Sequence, residues 1–129
     1  MTALADRLAT VLAEVLAVDA EPDGALTVRH DGTLASLRVV PIAEGLELVS
    51  LTQILGWDLP LTEKLRKCAA EQAALSQLGT VTLVEKDAES ADAMLRYNFP
   101  GSGLTDDALR TLVLLVLAKG VDIRDVLNA

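Results

Sequence analysis

The chain has 129 residues, is 51% apolar with one Trp, one Tyr and one Phe, and carries a net charge of −8. This length and composition predict one globular domain over residues 1–129 with an aliphatic core, and they exclude a disordered chain. The acidic balance argues against nucleic acids and anionic membranes as partners, because both attract clustered Lys and Arg.

Cysteine content and hydropathy predict a cytoplasmic protein. A single cysteine, Cys68, cannot form an intramolecular disulfide, which is consistent with a reducing compartment. The first helix-like segment lacks the basic start of a signal peptide. The longest uncharged apolar run, Leu112–Ala118, is much shorter than the roughly 20 residues that span a bilayer.

The first predicted element is an amphipathic helix over about residues 3–18, because its apolar residues recur every three or four positions. Pro22 and Gly24 follow this helix and favour a turn. The apolar stripe of the helix consists of Leu4, Leu8, Val11, Leu12, Val15 and Leu16.

Three strands are predicted next. Strand-like runs over residues 25–30 and 33–40 flank Asp31-Gly32, a dipeptide that favours a tight hairpin. A further turn leads into a third strand over residues 46–55.

A second helix is predicted to begin around Asp58 and Pro60 and to end before Gly79, which takes the position that follows a helix end. Its apolar stripe consists of Leu61, Leu65, Cys68 and Ala69. A cysteine on such a stripe is expected to be buried and inert.

Two more strands, over residues 80–85 and 91–99, precede a last helix over about 106–119 that ends at Gly120. One face of the final strand carries Ala93, Leu95, Tyr97 and Phe99. A short helical tail is expected over residues 123–127.

The predicted order of elements is therefore α-β-β-β-α-β-β-α. Strands that follow one another through hairpins favour an antiparallel sheet. The sequence thus predicts an α+β fold with a single antiparallel sheet of about five strands and helices on one face.

The glycines in "PGSGLTDD", residues 100–107, suggest either a phosphate-binding loop or an ordinary turn before a helix. A phosphate loop would need a following lysine, which is missing. Asp106 and Asp107 would also place negative charge where the phosphate would lie. Thr105 is instead expected to cap the last helix, so the sequence favours the turn.

The sequence contains no recognisable catalytic set. Cys68 and His30 are the only thiol and the only imidazole, and one residue of each type does not complete an ordinary zinc site. The acidic pair Asp87 and Glu89 falls in a turn, where solvated charges are common. We therefore expect a protein that is not an enzyme and that uses no metal or cofactor.

The last helix is apolar on two sides. Its core-facing stripe consists of Leu109, Leu112, Val113, Val116 and Leu117. Leu114, Leu115 and Ala118 point away from that stripe and form the candidate interface. Two interpretations stay open: a central helix in a thick core, covered by the terminal tail, or a subunit or client interface.

Four segments follow one another in a characteristic order: "DGTLASLRVVPIAEGLELVS", "LPLTEKLRKCAAEQA", "GTVTLVEKDAESADAMLRYNF" and "GLTDDALRTLV". In this order they resemble the YbjN-like domain family, which shares the type III secretion chaperone-like fold. The resemblance covers roughly residues 5–120. It implies a small, non-enzymatic homodimer that binds peptide segments of other proteins, with no catalytic residues to carry over.

We therefore expect a homodimeric, chaperone-like or regulatory protein that binds peptide segments of a client protein. The client would enter an apolar groove or pair with an exposed strand edge. The alternative is a sensory or regulatory domain that binds a small molecule between sheet and helices, near Tyr97, Phe99 and Trp57.

Overall fold

One open sheet of six antiparallel strands carries three helices in a computed structural model that describes residues 3–129. In chain order the elements are α1 (Leu4–Ala13), β1 (Ala17–Ala20), β2 (Leu26–His30), β3 (Thr33–Ala43), β4 (Leu46–Pro60), α2 (Glu63–Leu75), β5 (Thr80–Glu85), β6 (Ser90–Pro100) and α3 (Asp106–Leu127). The strands lie in the order β1-β2-β3-β4-β6-β5, so β1 and β5 are the two edges. The α+β class and the antiparallel sheet are confirmed, but the sheet has six strands rather than about five.

The core lies on one face of this sheet. Along β4, Leu51, Gln53 and Leu55 are buried, whereas the alternate residues Thr52 and Ile54 are only half-buried. This period of two follows from the pleat, which turns successive side chains to opposite faces. We call the half-buried side, which lies opposite the buried core, the open face.

The β2–β3 hairpin forms as predicted. His30 pairs with Thr33 across a two-residue turn, in which Asp31 and Gly32 have φ angles of 47° and 79°. Both angles lie in the left-handed region that a type I′ turn requires, and that Asp-Gly adopts readily.

The predicted first helix is too long, and its last part is strand β1. Helix α1 ends at Ala13, and Val18 of β1 pairs with Val28 of β2. Val15 is 45% exposed, so it does not continue the buried stripe of α1. Pairing with β2 therefore prevails over helical periodicity here, and β-branched side chains favour that outcome.

The predicted second helix begins too early and its glycine has another role. Strand β4 runs to Pro60, and the Thr62 side chain caps α2 by accepting a hydrogen bond from the Leu65 amide at 3.1 Å. The helix ends at Leu75, well before Gly79. Gly79 has a φ of 97°, and a Cβ there would lie 2.9 Å from the Arg96 carbonyl oxygen. Gly79 therefore permits the backbone conformation at the start of β5 and does not end α2.

The predicted break at Gly120 is also wrong, because α3 continues without interruption to Leu127. Gly120 is buried against β4, and a Cβ there would lie 1.8 Å from Oε1 of Gln53. The absence of a side chain lets the helix approach the sheet, so the glycine is a packing requirement within the helix. The expected terminal tail is the last part of α3.

Candidate functional site

A groove of about 440 Å³ lies between the C-terminal end of α2 and the middle of α3. We call it the α2–α3 groove. Its lining residues are Leu75, Gln77, Leu78, Leu115, Ala118, Lys119 and Asp122. Four of these seven are apolar, and Lys119 and Asp122 supply one charge of each sign at the rim. The groove therefore offers an apolar surface with polar groups that can orient a ligand.

The apolar side chains of the groove are unusually accessible. Leu75 is 71% exposed and Leu115 is 53% exposed, whereas Leu78 is half-buried and packs against the core. Single exposed leucines are common on proteins, but here two lie in one concave surface. Covering them would remove apolar area from water, which is the main source of affinity in protein association.

Helix α3 has apolar residues on two sides, and those on its outer side line part of this groove. Leu109, Val113 and Leu117 are buried on the core-facing side of α3. Residues on the opposite side of the helix therefore face outward. Leu115 and Ala118 are exposed there and line the groove.

The third residue of the candidate interface has a different environment. Leu114 is half-buried and is not among the residues that line the groove. Sequence reasoning missed Leu75 and Leu78, because neither belongs to the apolar stripe of α2. The only sequence feature that points to them is their position: they are two leucines that follow the predicted stripe, near the end of the helix.

The N-terminus of α3 is occupied by the protein's own side chains. Thr105 caps it by accepting a hydrogen bond from the Ala108 amide at 3.1 Å, which confirms the predicted cap. Arg7 donates to Asp106 at 3.0 Å, and Arg110 pairs with both Asp107 and Glu14. These ion pairs join α1 to α3 and neutralise the first-turn carboxylates. The turn interpretation of the preceding glycines fits this arrangement better than a phosphate loop.

Cys68 and His30 lie on separate elements. Cys68 is half-buried rather than fully buried as expected, and its Sγ lies 3.8 Å from the Val126 carbonyl oxygen. It lines a second cavity of about 310 Å³ between α2 and the end of α3. His30 is half-buried beside the β2–β3 turn. Within residues 3–129, no group of three or more His, Cys, Asp or Glu side chains is placed to hold a metal ion.

The three aromatic side chains do not share one site. The Tyr97 and Phe99 rings lie 5.5 Å apart on the core face, and Phe99 is only 3% exposed. Tyr97 pairs with Leu51, six residues before Trp57 along β4, which corresponds to roughly 20 Å of strand. Trp57 is 57% exposed. A pocket that uses Tyr97 and Phe99 would therefore not include Trp57.

Trp57 lies in an irregular part of β4, where the pairing with β6 shifts register between Gly56 and Leu59. Asp58 has a φ of 52°, and its amide donates to Oδ1 of the buried Asp92 at 2.9 Å. Lys86 Nζ lies 2.8 Å from Asp58 and 3.2 Å from Asp92, and 5.7 Å from the Trp57 ring centroid. Asp58, and then Asp92, raises the pKa of Lys86 by hydrogen bonding to its ammonium group. This ion cluster holds the irregular segment in place.

No protein-family model matches the chain, no curated protein matches it, and no solved structure matches it. Among residues 3–129, none of the helices combines the length and apolarity needed to cross a membrane.

Proposed function

We propose that this chain is a non-enzymatic binding module that takes an apolar segment of a partner protein into the α2–α3 groove, and that it works as a homodimer. The observation that carries the proposal is the pair Leu75 and Leu115, which leave most of their surface exposed in one groove. We also propose that the fold is type III secretion chaperone-like and that the chain is related to the YbjN-like family, which it resembles.

The groove suits a short segment with two or three apolar side chains. Fully burying a leucine contributes about 1.5–3 kcal/mol, so covering Leu75 and Leu115 supplies a few kcal/mol before the cost of association. Lys119 and Asp122 at the rim can pair with polar groups that flank the apolar side chains. We therefore expect moderate affinity. Binding should depend mainly on the spacing of apolar side chains in the bound segment rather than on the net charge of that segment.

A small-molecule pocket near Tyr97 and Phe99 has less support. Phe99 belongs to the core and Tyr97 is half-buried against it. The two rings contact one another, so the space between sheet and helices at this point is filled by side chains.

Selection from a random peptide library displayed on phage tests the proposal. The folded chain serves as bait, and each enriched peptide is then tested for binding to the Leu115→Glu variant. We expect enriched peptides that share spaced apolar residues and that are lost on Leu115→Glu. Peptides that bind the two proteins equally, or no enrichment at all, would contradict the proposed groove.

A further inference from the structure

The outer edge of β5 presents backbone groups that lack a neighbouring strand. The Lys86 amide donates to the Ser90 carbonyl at 3.0 Å. This bond shows which alternate residues of the β5–β6 pair are hydrogen-bonded to each other. Because hydrogen-bonded positions alternate along a strand, Val81, Leu83 and Glu85 direct their N–H and C=O groups away from β6. In the part of the chain that the structure describes, no turn, loop or side-chain hydrogen bond uses these groups.

Two other free strand edges, those of β1 and of the end of β3, are protected. Strand β1 has only four residues. The part of β3 beyond Leu37 has no β2 partner, but it contains Pro41 at an outward-facing position, and proline has no N–H to donate. The β3–β4 pairing also shifts register between Pro41 and Ala43. Short strands, prolines and bulges all discourage pairing with another chain.

Strand β5 has none of these protections. Its six residues, "TVTLVE", form a regular pair with β6 without a register shift, and they include no proline and no lysine. Its one charge, Glu85, is engaged by Arg66 at 2.7 Å. A regular edge of this kind is a template for a further strand.

We propose that the β5 edge pairs with β5 of a second copy of this chain, antiparallel about a two-fold axis at Leu83. This inference rests on the proposed homodimer and assigns its interface. The outward-facing residues lie symmetrically about Leu83, so Val81 would face Glu85 of the partner subunit and Leu83 would face its own counterpart. Three such pairs would exchange about six backbone hydrogen bonds.

The side chains are compatible with this self-pairing. Glu85 would face Val81 of the partner subunit, so no like charges would oppose each other in the strand pair. On the open face, Thr82 would face Val84 of the partner subunit. In the helical layer, Arg66 of α2 reaches the β5 edge, so Ala70 one turn later faces the same side. Ala70 is small and exposed, which lets the partner's helix approach.

Mass in solution, measured by light scattering over a range of concentrations, tests the inference. We expect a dimer for the native chain and a monomer for the double variant Thr82→Lys/Val84→Lys, because the new lysines would oppose each other across the axis. Val40→Lys/Ile42→Lys is the matched control, since it adds the same charge at exposed positions on β3 and should stay dimeric. Val40 and Val84 are equally exposed, at 37% each.

A cross-linking variant keeps the test informative if the lysine variant does not fold. In Thr82→Cys/Val84→Cys on a Cys68→Ser background, opposing residues would lie about 4.5 Å apart between Cα atoms, within the range for disulfides. We expect a covalent dimer on oxidation. A native chain that stays monomeric at high micromolar concentration would contradict the homodimer. A native dimer that persists in the lysine variant, or that fails to cross-link, would overturn the β5 interface.

Different variants test the peptide-binding groove and the β5 dimer interface, so each proposal can be contradicted without the other. Leu115→Glu should lose selected peptides and stay dimeric, because Leu115 lies on α3 and is not part of the β5 edge. Thr82→Lys/Val84→Lys should lose dimerisation and still bind the peptides. If the lysine variant instead loses peptide binding while the native chain is a monomer, the β5 edge receives a client strand rather than a second copy, and the inference is wrong.

Discussion

Gln53 and Gly120 approach so closely that a Cβ on Gly120 would lie 1.8 Å from Oε1 of Gln53. Gln53 is completely buried, and its Nε2 donates to Thr33 Oγ1 at 2.9 Å and to the Leu117 carbonyl at 3.1 Å. Its Oε1 has no hydrogen-bond partner among residues 3–129. The amide therefore joins β4 to β3 and to α3, and it requires a residue without a side chain in the helix above it.

The Gly120→Ala variant is expected to be less stable than the native chain. Alanine gains about 1 kcal/mol in helix propensity, but overpacking typically costs about 1–3 kcal/mol. Since the overlap with Gln53 is severe, we expect a net loss of about 1–2 kcal/mol, measured as the free energy of unfolding in urea. In a Gln53→Ala background, Gly120→Ala should cost less, because the atom that overlaps is absent. A more stable Gly120→Ala variant would contradict the close approach.

The two N-caps should make similar contributions to stability. Thr62 and Thr105 each accept a backbone amide hydrogen bond at 3.1 Å. We expect Thr62→Ala and Thr105→Ala each to cost about 1 kcal/mol in the free energy of unfolding. Thr111→Ala is the control, because Thr111 is exposed within α3 and its loss should be neutral or slightly stabilising. Equal stability of all three variants would count against the caps.

Lys86 should make stability depend on alkaline pH. Its pKa is raised above the ordinary value of 10.5 by hydrogen bonds to Asp58 and then Asp92. A raised pKa in the folded state means that the stabilisation is complete below about pH 10.5 and is lost as the pH rises through the folded pKa. We expect Lys86→Met to be less stable at neutral pH, and its unfolding free energy to decline less above pH 10 than that of the native chain. Parallel pH profiles would show that the ion cluster has no such effect.

Several elements could be predicted because local signals determine them. Asp31-Gly32 specifies its own turn, and the alternation that ends in Phe99 specifies which face of β6 is buried. The Thr105 cap is equally local. In each case a few adjacent residues contain the physical reason for the structure.

Other features depend on residues that are distant in the sequence. Gly120 has the appearance of a helix end until Gln53 lies beneath it, 67 positions away along the chain by residue number. Strand β1 exists because Val28 offers a partner to Val18. The α2–α3 groove needs Leu75 beside Leu115, and no pattern within either helix relates the two.

The proposed groove is tested most directly by calorimetric titration of a library-selected peptide into three proteins: the native chain, Leu115→Glu and Ile42→Glu. Ile42 is 56% exposed and Leu115 is 53% exposed, so the two substitutions place the same charge at similarly accessible apolar positions. We predict that Leu115→Glu weakens binding at least tenfold, about 1.4 kcal/mol, whereas Ile42→Glu leaves the affinity unchanged. Equal affinity for all three proteins would contradict binding in the α2–α3 groove.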